Sequence, residues 1–221
     1  MLHVGKVQTG EFFAVSVAAP GVTINTLPVT QRSALLPKVA HTLNAIHATP
    51  INRSGFGVWG SDGNGKYGSW RESIEAGLDK TIGLNRPFFF DEKLHANIRR
   101  KIAELLNACP EERRLIHGDF GMDNVLAHEG EVSGVIDWEQ SAYGDPLFDV
   151  AVLEFWDPKI GYKEWFKEHY TVESKDDFSH NYDQRVQCYQ LVTAIQALGF
   201  YVESNQPKKY AFAKNRVLQL L

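Results

Sequence analysis

Three oxygen-bearing side chains in the middle of the chain have the types and the spacing for phosphate chemistry. Asp119 follows the short apolar run Leu115–Ile116, Asn124 comes five residues later, and Asp137 ends the apolar stretch 132–136. Phosphoryl transfer needs a carboxylate that orients the nucleophile and accepts its proton, and Mg²⁺ that neutralises phosphate charge. Asp119 can serve as the base, whereas Asn124 and Asp137 offer the hard oxygen ligands that Mg²⁺ prefers.

A β-hairpin is predicted to bring these side chains together. Val125 opens one apolar arm, Glu129-Gly130 has the chemistry of a turn, and residues 132–136 form the return arm. The two arms of a hairpin lie side by side, so the residue before the first arm and the residue after the second become neighbours. We therefore expect Asn124 and Asp137 to lie close to one another and to the base.

This segment is similar to a known group of enzymes. The pattern H-x-D-x-x-x-x-N, followed by a strand that ends in Asp, resembles the catalytic loop and metal-binding Asp of the kinase superfamily. Gly118 stands where protein kinases carry Arg, and Trp138-Glu139 follows Asp137 where they have Phe-Gly. The sequence of this segment resembles that of the aminoglycoside phosphotransferases, hygromycin B phosphotransferases in particular. The resemblance is carried by GVTINTLP, GFGVWGSDGNGKYGSW, HGDFGMDNVL, VIDW and YGDPLFDVA.

The resemblance implies a fold, a division of the chain and a reaction. The fold would be α+β and protein-kinase-like, with a mainly helical C-terminal lobe that carries the catalytic β-hairpin. Residues 1–18 would be a remnant hairpin of the N-lobe with the hinge, and residues 19–221 the helical substrate and catalytic lobe. The reaction would be ATP-dependent O-phosphorylation of a hydroxyl on a cationic aminocyclitol or related small molecule, as in antibiotic resistance.

The resemblance also assigns roles to individual residues. Asp119 would be the catalytic base, and Asn124 and Asp137 would hold Mg²⁺ on the phosphates of ATP. Ser16 and Ala18 match the hinge, where backbone groups contact adenine. Two substrate-binding residues are expected: Asp123, which attracts ammonium groups, and Trp156, where an aromatic flanks the antibiotic. Trp156 fits a core position equally well.

Two other interpretations remain open. In related enzymes a Gly-rich loop and a strand Lys bind the phosphates, and both precede the position in the sequence that matches Met1. The chain is therefore expected to be a shortened form, and the alternative function is that of a non-catalytic remnant that binds a cationic small molecule or a partner. A metal-dependent hydrolase that uses His117 is a weaker hypothesis, because no second His falls beside it at ligand spacing.

Composition favours a folded protein over a disordered one. The 221 residues are 43% apolar and include five Trp, which indicates a packed core. The net charge of −4 argues against nucleic acid as the partner. No apolar run reaches spanning length and no signal peptide opens the chain, so we expect a cytoplasmic protein that does not bind membranes. Cys109 and Cys188, far apart in sequence, are expected to be reduced thiols.

The distribution of charge is more informative than its total. Between Arg114 and Lys159 there is no Lys or Arg. Acidic side chains brought together repel one another and attract cations, either a metal or a cationic ligand. The same stretch contains ten of them: Asp119, Asp123, Glu129, Glu131, Asp137, Glu139, Asp145, Asp149, Glu154 and Asp157.

Apolar periodicity predicts the helices that position this site. They span residues 30–47, 91–107, 162–170, 181–203 and 207–221, with two more that begin after Ser69 and at Asp145. From the resemblance, Asp145 would also brace the catalytic loop. The glycine-rich stretch 55–69 is expected to be a substrate-side loop. It is not a Walker A loop, because Tyr67 stands where a Ser or Thr must hold Mg²⁺.

Overall fold

The computed structural model describes residues 2–80, 89–170 and 179–221. The helices are α1 (Val29–His47), α2 (Trp70–Lys80), α3 (Glu92–Leu105), α4 (Leu147–Trp156), α5 (Tyr162–His169), α6 (Tyr182–Glu203) and α7 (Pro207–Leu220). The strands are β1 (His3–Lys6), β2 (Phe12–Val15), β3 (Val22–Thr23), β4 (Phe56–Trp59), β5 (Gly65–Tyr67), β6 (Arg114–Ile116), β7 (Val125–His128), β8 (Glu131–Val135) and β9 (Ala142–Gly144). Within the described ranges, no helix is both long and apolar enough to cross a membrane.

The N-terminal hairpin forms a sheet of its own. Strands β1 and β2 pair antiparallel, with His3 opposite Val15 and Lys6 opposite Phe12, as the sequence predicted. Its apolar side chains are largely exposed, which is unusual for strands, since one face of a sheet is normally buried.

Two further sheets support the predicted catalytic segment. Strands β7 and β8 form the expected hairpin, and β3 pairs with the outer side of β7. The second sheet has the order β5-β4-β9-β6. The chain therefore enters the catalytic loop from one sheet and leaves it into the other. This arrangement fixes both ends of the loop.

The glycine-rich stretch 55–69 is not a loop, and that expectation was wrong. It forms the β4–β5 hairpin, in which Phe56 pairs with Tyr67. Glycines in it serve close packing: a Cβ on Gly65 would lie 2.4 Å from the backbone nitrogen of Phe56. The density of glycine resembles a loop in sequence, but here it allows two strands to approach closely. The exclusion of a Walker A loop is consistent with this hairpin.

Helix α6 is the centre of the helical core. Its residues at helical spacing, Val186, Tyr189, Val192 and Ile195, are all buried, as predicted. Helices α3, α4 and α7 pack around it. Buried residues therefore lie on several faces of α6, as in a helix that is surrounded by other helices.

Side-chain caps determine where two of the helices begin. Ser69 accepts a hydrogen bond from the Glu72 backbone N–H (3.1 Å), and the Glu72 carboxylate accepts one from the Gly68 N–H (2.9 Å). Asp91 accepts from the Leu94 N–H at 2.9 Å. Both caps were predicted, because they satisfy N–H groups that a helix leaves without partners in its first turn.

The two cysteines are free thiols, as expected. They are distant only in sequence. The Cys109 thiol, together with burial, raises the pKa of Cys188 far above its usual value, which places the two groups beside each other. The buried thiol is therefore protonated at neutral pH.

Candidate active site

The predicted base and amide are in direct contact. Asn124 Nδ2 donates to the backbone oxygen of Asp119 (2.9 Å) and to its carboxylate Oδ2 (3.2 Å). At the other end of the hairpin, the Ile136 N–H donates to the Asn124 backbone oxygen at 2.9 Å. Asp137 is the next residue, and its charge acts on Asp119. The hairpin thus holds Asn124 against Asp119 and beside Ile136, the residue before Asp137.

His117 locks the loop to the end of β8. Its Nε2 lies 2.9 Å from the carbonyl oxygen of Ile136, and its Nδ1 accepts from the Asp119 N–H at 3.3 Å. These partners assign the tautomer with the proton on Nε2. Because backbone groups occupy both ring nitrogens, His117 has no lone pair for a metal. The hydrolase hypothesis therefore loses its proposed ligand.

Asp149, on α4, braces the catalytic loop from below. One carboxylate oxygen accepts from the His117 N–H and the other from the Gly118 N–H, both at 2.9 Å. His47 Nε2 lies 2.9 Å from the same carboxylate, and both side chains are fully buried. The resemblance had suggested Asp145 for this role, and that expectation was wrong. Asp149 lies closer because it faces the loop from the first turn of α4.

The brace continues to a second helix. His47, the last residue of α1, places its Nδ1 2.6 Å from the hydroxyl of Tyr170. From the sequence, no individual role was assigned to His47 or to Asp149. A signal was present: each is a polar residue at an apolar position of its helix, and buried polar groups must be hydrogen-bonded.

Asp145 has a different task. Its carboxylate accepts two hydrogen bonds from Arg185 (2.7 and 2.9 Å) and one from the Tyr189 hydroxyl (2.8 Å). It also accepts from the Leu147 N–H at 3.0 Å, so the predicted capping contact is present. The helix itself begins at Leu147 with Pro146 at the N-cap, one residue later than the prediction that placed Asp145 at the N-cap. The buried ion pair joins the start of α4 to α6.

The environment of Asp119 suits a proton acceptor. Burial raises the pKa of its carboxyl above the usual value, and the charge of Asp123 raises it further. The hydrogen bond from Asn124 opposes this shift. A carboxylate with a raised pKa holds a proton more strongly than a solvated one, which improves it as a general base.

The residues proposed as metal ligands fit Mg²⁺ chemically. Asn124 uses its Nδ2 toward Asp119, and no donor among the described residues is directed at its Oδ1. Asp137 is exposed, and its carboxylate caps nothing. Its backbone is left-handed (φ 61°), a costly conformation for a residue other than glycine. Strain of this kind is concentrated at functional sites, and oxygen donors are the ones that Mg²⁺ accepts.

A cavity of about 680 Å³ opens beside the base. Its walls include Asp119 and both predicted substrate residues, Asp123 and Trp156. Asp123 is exposed, and its charge raises the pKa of Tyr201 across the cavity, after the larger effect of burial. Trp156 is half-buried and stacks on Phe212 with ring centroids 6.5 Å apart. It is therefore both a packing residue and a wall of the cavity.

The predicted nucleotide residues lie elsewhere. Ser16 and Ala18 are exposed and follow β2, and neither lines the cavity that holds Asp119. The next residue, Ala19, packs against β8, where a Cβ on Gly134 would lie 3.0 Å from it. The hinge segment thus runs past the catalytic hairpin. The role of its backbone toward adenine stays a prediction.

Comparison with known proteins identifies the family. Residues 7–170 match the model of the phosphotransferase enzyme family, APH. The chain belongs to this phosphotransferase family. Hygromycin-B 4-O-kinase from Escherichia coli is 35% identical over 168 residues, which are 74% of this chain and 49% of that enzyme. The chain therefore spans about half the length of that relative.

Solved structures of phosphotransferases have the same fold. A thermostable mutant of aminoglycoside phosphotransferase APH(4)-Ia, in a ternary complex with AMP-PNP and hygromycin B, superposes with a TM-score of 0.81 at 30% identity. The match covers 99% of this chain and 74% of that one. Aminoglycoside 2'-phosphotransferase-IIIa, at 14% identity and a TM-score of 0.64, shows the fold alone. The kinase-like α+β fold expected from the sequence is confirmed.

Proposed function

We propose that this chain carries the catalytic and acceptor-binding part of an ATP-dependent O-phosphotransferase. The acceptor is a cationic aminocyclitol or a related small molecule, of the kind named in the hygromycin relatives. Residues 1–18 provide the hinge side of the nucleotide site, with Ser16 and Ala18 at the adenine. Residues 19–221 provide catalysis and acceptor binding. Phosphorylation of such an antibiotic would be a route to resistance.

The single observation that carries the proposal is the position of Asp119. Its carboxylate accepts a hydrogen bond from the Asn124 amide, and the charge of Asp137 contributes to its raised pKa. The same residue lines an acidic cavity large enough for a small molecule. A base, two oxygen ligands and an acceptor pocket at one point are what phosphoryl transfer requires. Each of these parts comes from this chain.

The geometry suggests how the residues act. An acceptor hydroxyl in the cavity loses its proton to the Asp119 carboxylate as its oxygen forms a bond to the γ-phosphorus of ATP. The bond from that phosphorus to the bridging oxygen breaks, and ADP leaves. Mg²⁺, when bound, neutralises charge on the phosphates. Asn124 also holds Asp119 in place, and Asp149 fixes the loop through the two preceding N–H groups.

Acceptor binding without transfer is the second candidate function. The described cavity is lined by residues between Asn25 and Tyr201, so no part of the N-terminal hairpin contributes to it. A polycationic molecule can therefore bind here whether or not nucleotide is present.

The test is transfer of labelled phosphate from Mg-ATP to hygromycin B by the purified chain and by Asp119→Asn. We expect the variant to lose about 10²–10⁴-fold in kcat with its fold intact, because a positioned base contributes this much. Glu131→Gln, which removes an exposed acid at the far end of the hairpin, is the matched control. Equal turnover by Asp119→Asn and the original chain would reject the base. Acceptor binding with no transfer by the original chain would support the second candidate.

A further inference from the structure

A guanidinium lies among the acidic side chains of the cavity. Of the described residues that line it, four carry carboxylates, Asp119, Asp123, Glu139 and Asp157, and one carries a guanidinium, Arg32. Burial raises the pKa of the Asp119 carboxyl, and the charge of Asp123 raises it further. A cation is unexpected in a pocket for ammonium groups, because like charges repel in a partly desolvated site.

Arg32 is committed to one carboxylate. Its Nε lies 3.2 Å from Asp157 Oδ2, and its Nη1 donates to the backbone oxygen of Asn25 at 3.3 Å. Both members of the ion pair are mostly buried, with about 15% of each side chain exposed. The Nε and Oδ2 atoms are close but not aligned as a hydrogen bond. The contact is thus mainly one of charge, which does not depend on a precise angle.

This pairing changes which carboxylates of the cavity are free to attract a cation. The charge of Asp157 is balanced by Arg32, so the uncompensated negative charge lies on Asp119, Asp123 and Glu139. Trp156, next to Asp157 in the chain, also lines the cavity. The uncompensated carboxylates suit ammonium groups, and the indole suits an uncharged ring.

We infer that Arg32 determines acceptor specificity by masking Asp157, which leaves Asp119, Asp123 and Glu139 as the carboxylates of the cavity that attract ammonium groups. The inference rests on the proposed function, because it names how that same cavity distinguishes acceptors. Acceptors with few ammonium groups are favoured, and more heavily aminated acceptors meet the fixed positive charge of Arg32.

Calorimetric titration of the purified chain with hygromycin B, and with the more heavily aminated neomycin, tests this inference. Arg32→Gln exposes the Asp157 charge, and we expect it to tighten neomycin binding by about tenfold and hygromycin B binding by less. The matched control is Lys38→Gln, on the same helix and with the same change of net charge. Lys38 pairs with Glu131 outside the cavity, so we expect less than about a twofold effect.

Two more variants separate charge from shape. Arg32→Gln combined with Asp157→Asn removes the pair together and should return neomycin affinity to within about twofold of the original. Arg32→Lys keeps the positive charge and should bind both compounds like the original chain. It keeps the inference testable if thermal unfolding shows that Arg32→Gln is not folded. Equal shifts for Arg32→Gln and Lys38→Gln, or weaker binding by Arg32→Gln, would overturn the inference while leaving the cavity as the acceptor site. Failure of the original chain to bind either compound would overturn both.

Discussion

Two phenylalanines mark the contrast between the catalytic loop and the N-terminal hairpin. Phe120, next to the base, is completely buried, whereas Phe12 in β2 exposes 78% of its surface. The loop is held by the Asp149 carboxylate of α4, which His47 of α1 supports, and by the carbonyl oxygen of Ile136 at the end of β8. The hairpin pairs with itself. The residues beside the catalytic side chains are therefore fixed by packing and hydrogen bonds, whereas the N-terminal hairpin exposes its apolar side chains. Exposed apolar surface of this kind is suited to packing against another apolar surface.

Removal of the Asp149 carboxylate, which holds the catalytic loop, should have the largest effect on the free energy of unfolding. Asp149→Ala leaves buried His47 and two backbone N–H groups without their acceptor, so we expect a loss of about 3–5 kcal/mol in the free energy of unfolding. Urea unfolding followed by circular dichroism measures it. The control is Asp183→Ala, which breaks exposed ion pairs with Lys163 and Lys167 and should cost no more than about 1 kcal/mol. Similar losses for the two variants would contradict the bracing role.

The raised pKa of the Asp119 carboxyl should make the free energy of unfolding depend on pH. Its pKa is raised in the folded protein, so the folded state binds this proton more tightly than the unfolded chain does. The stability it contributes is present below the usual value of 3.8 and is lost as the pH rises through the raised pKa. We expect the original chain to lose stability relative to Asp119→Asn over that range, measured by urea unfolding at a series of pH values. A difference that is flat, or that grows in the opposite direction, would show that the carboxyl is not strained by its surroundings.

The smallest effect is expected in the N-terminal hairpin. Phe12→Ala removes an exposed ring and should change the free energy of unfolding by less than about 0.5 kcal/mol. Phe120→Ala removes a buried ring of the same size and should cost about 3–5 kcal/mol. The pair is measured by the same denaturant titration. A large loss for Phe12→Ala would show that the hairpin contributes to the core after all.

Sequence reasoning recovered what depends on local pattern. The catalytic hairpin, the caps at Ser69 and Asp91 and the buried stripe of α6 follow from turn chemistry, capping and helical periodicity. It failed where the answer depends on distant partners. Asp145 and Asp149 are both acids on one short segment, and only packing decides which one reaches His117. The glycines of 55–69 were taken for a loop because close strand packing leaves no pattern of its own.

We propose that Asn124 and Asp137 hold a divalent cation beside the proton acceptor Asp119. The most direct test is the calorimetric affinity of the chain for ATP with and without Mg²⁺, in the original form, in Asp137→Asn, and in Glu129→Gln at the exposed tip of the same hairpin. The structure predicts Mg²⁺-dependent binding that falls at least about tenfold in Asp137→Asn and is unchanged in Glu129→Gln. Binding that ignores Mg²⁺, or that is the same in Asp137→Asn as in the original chain, would contradict it.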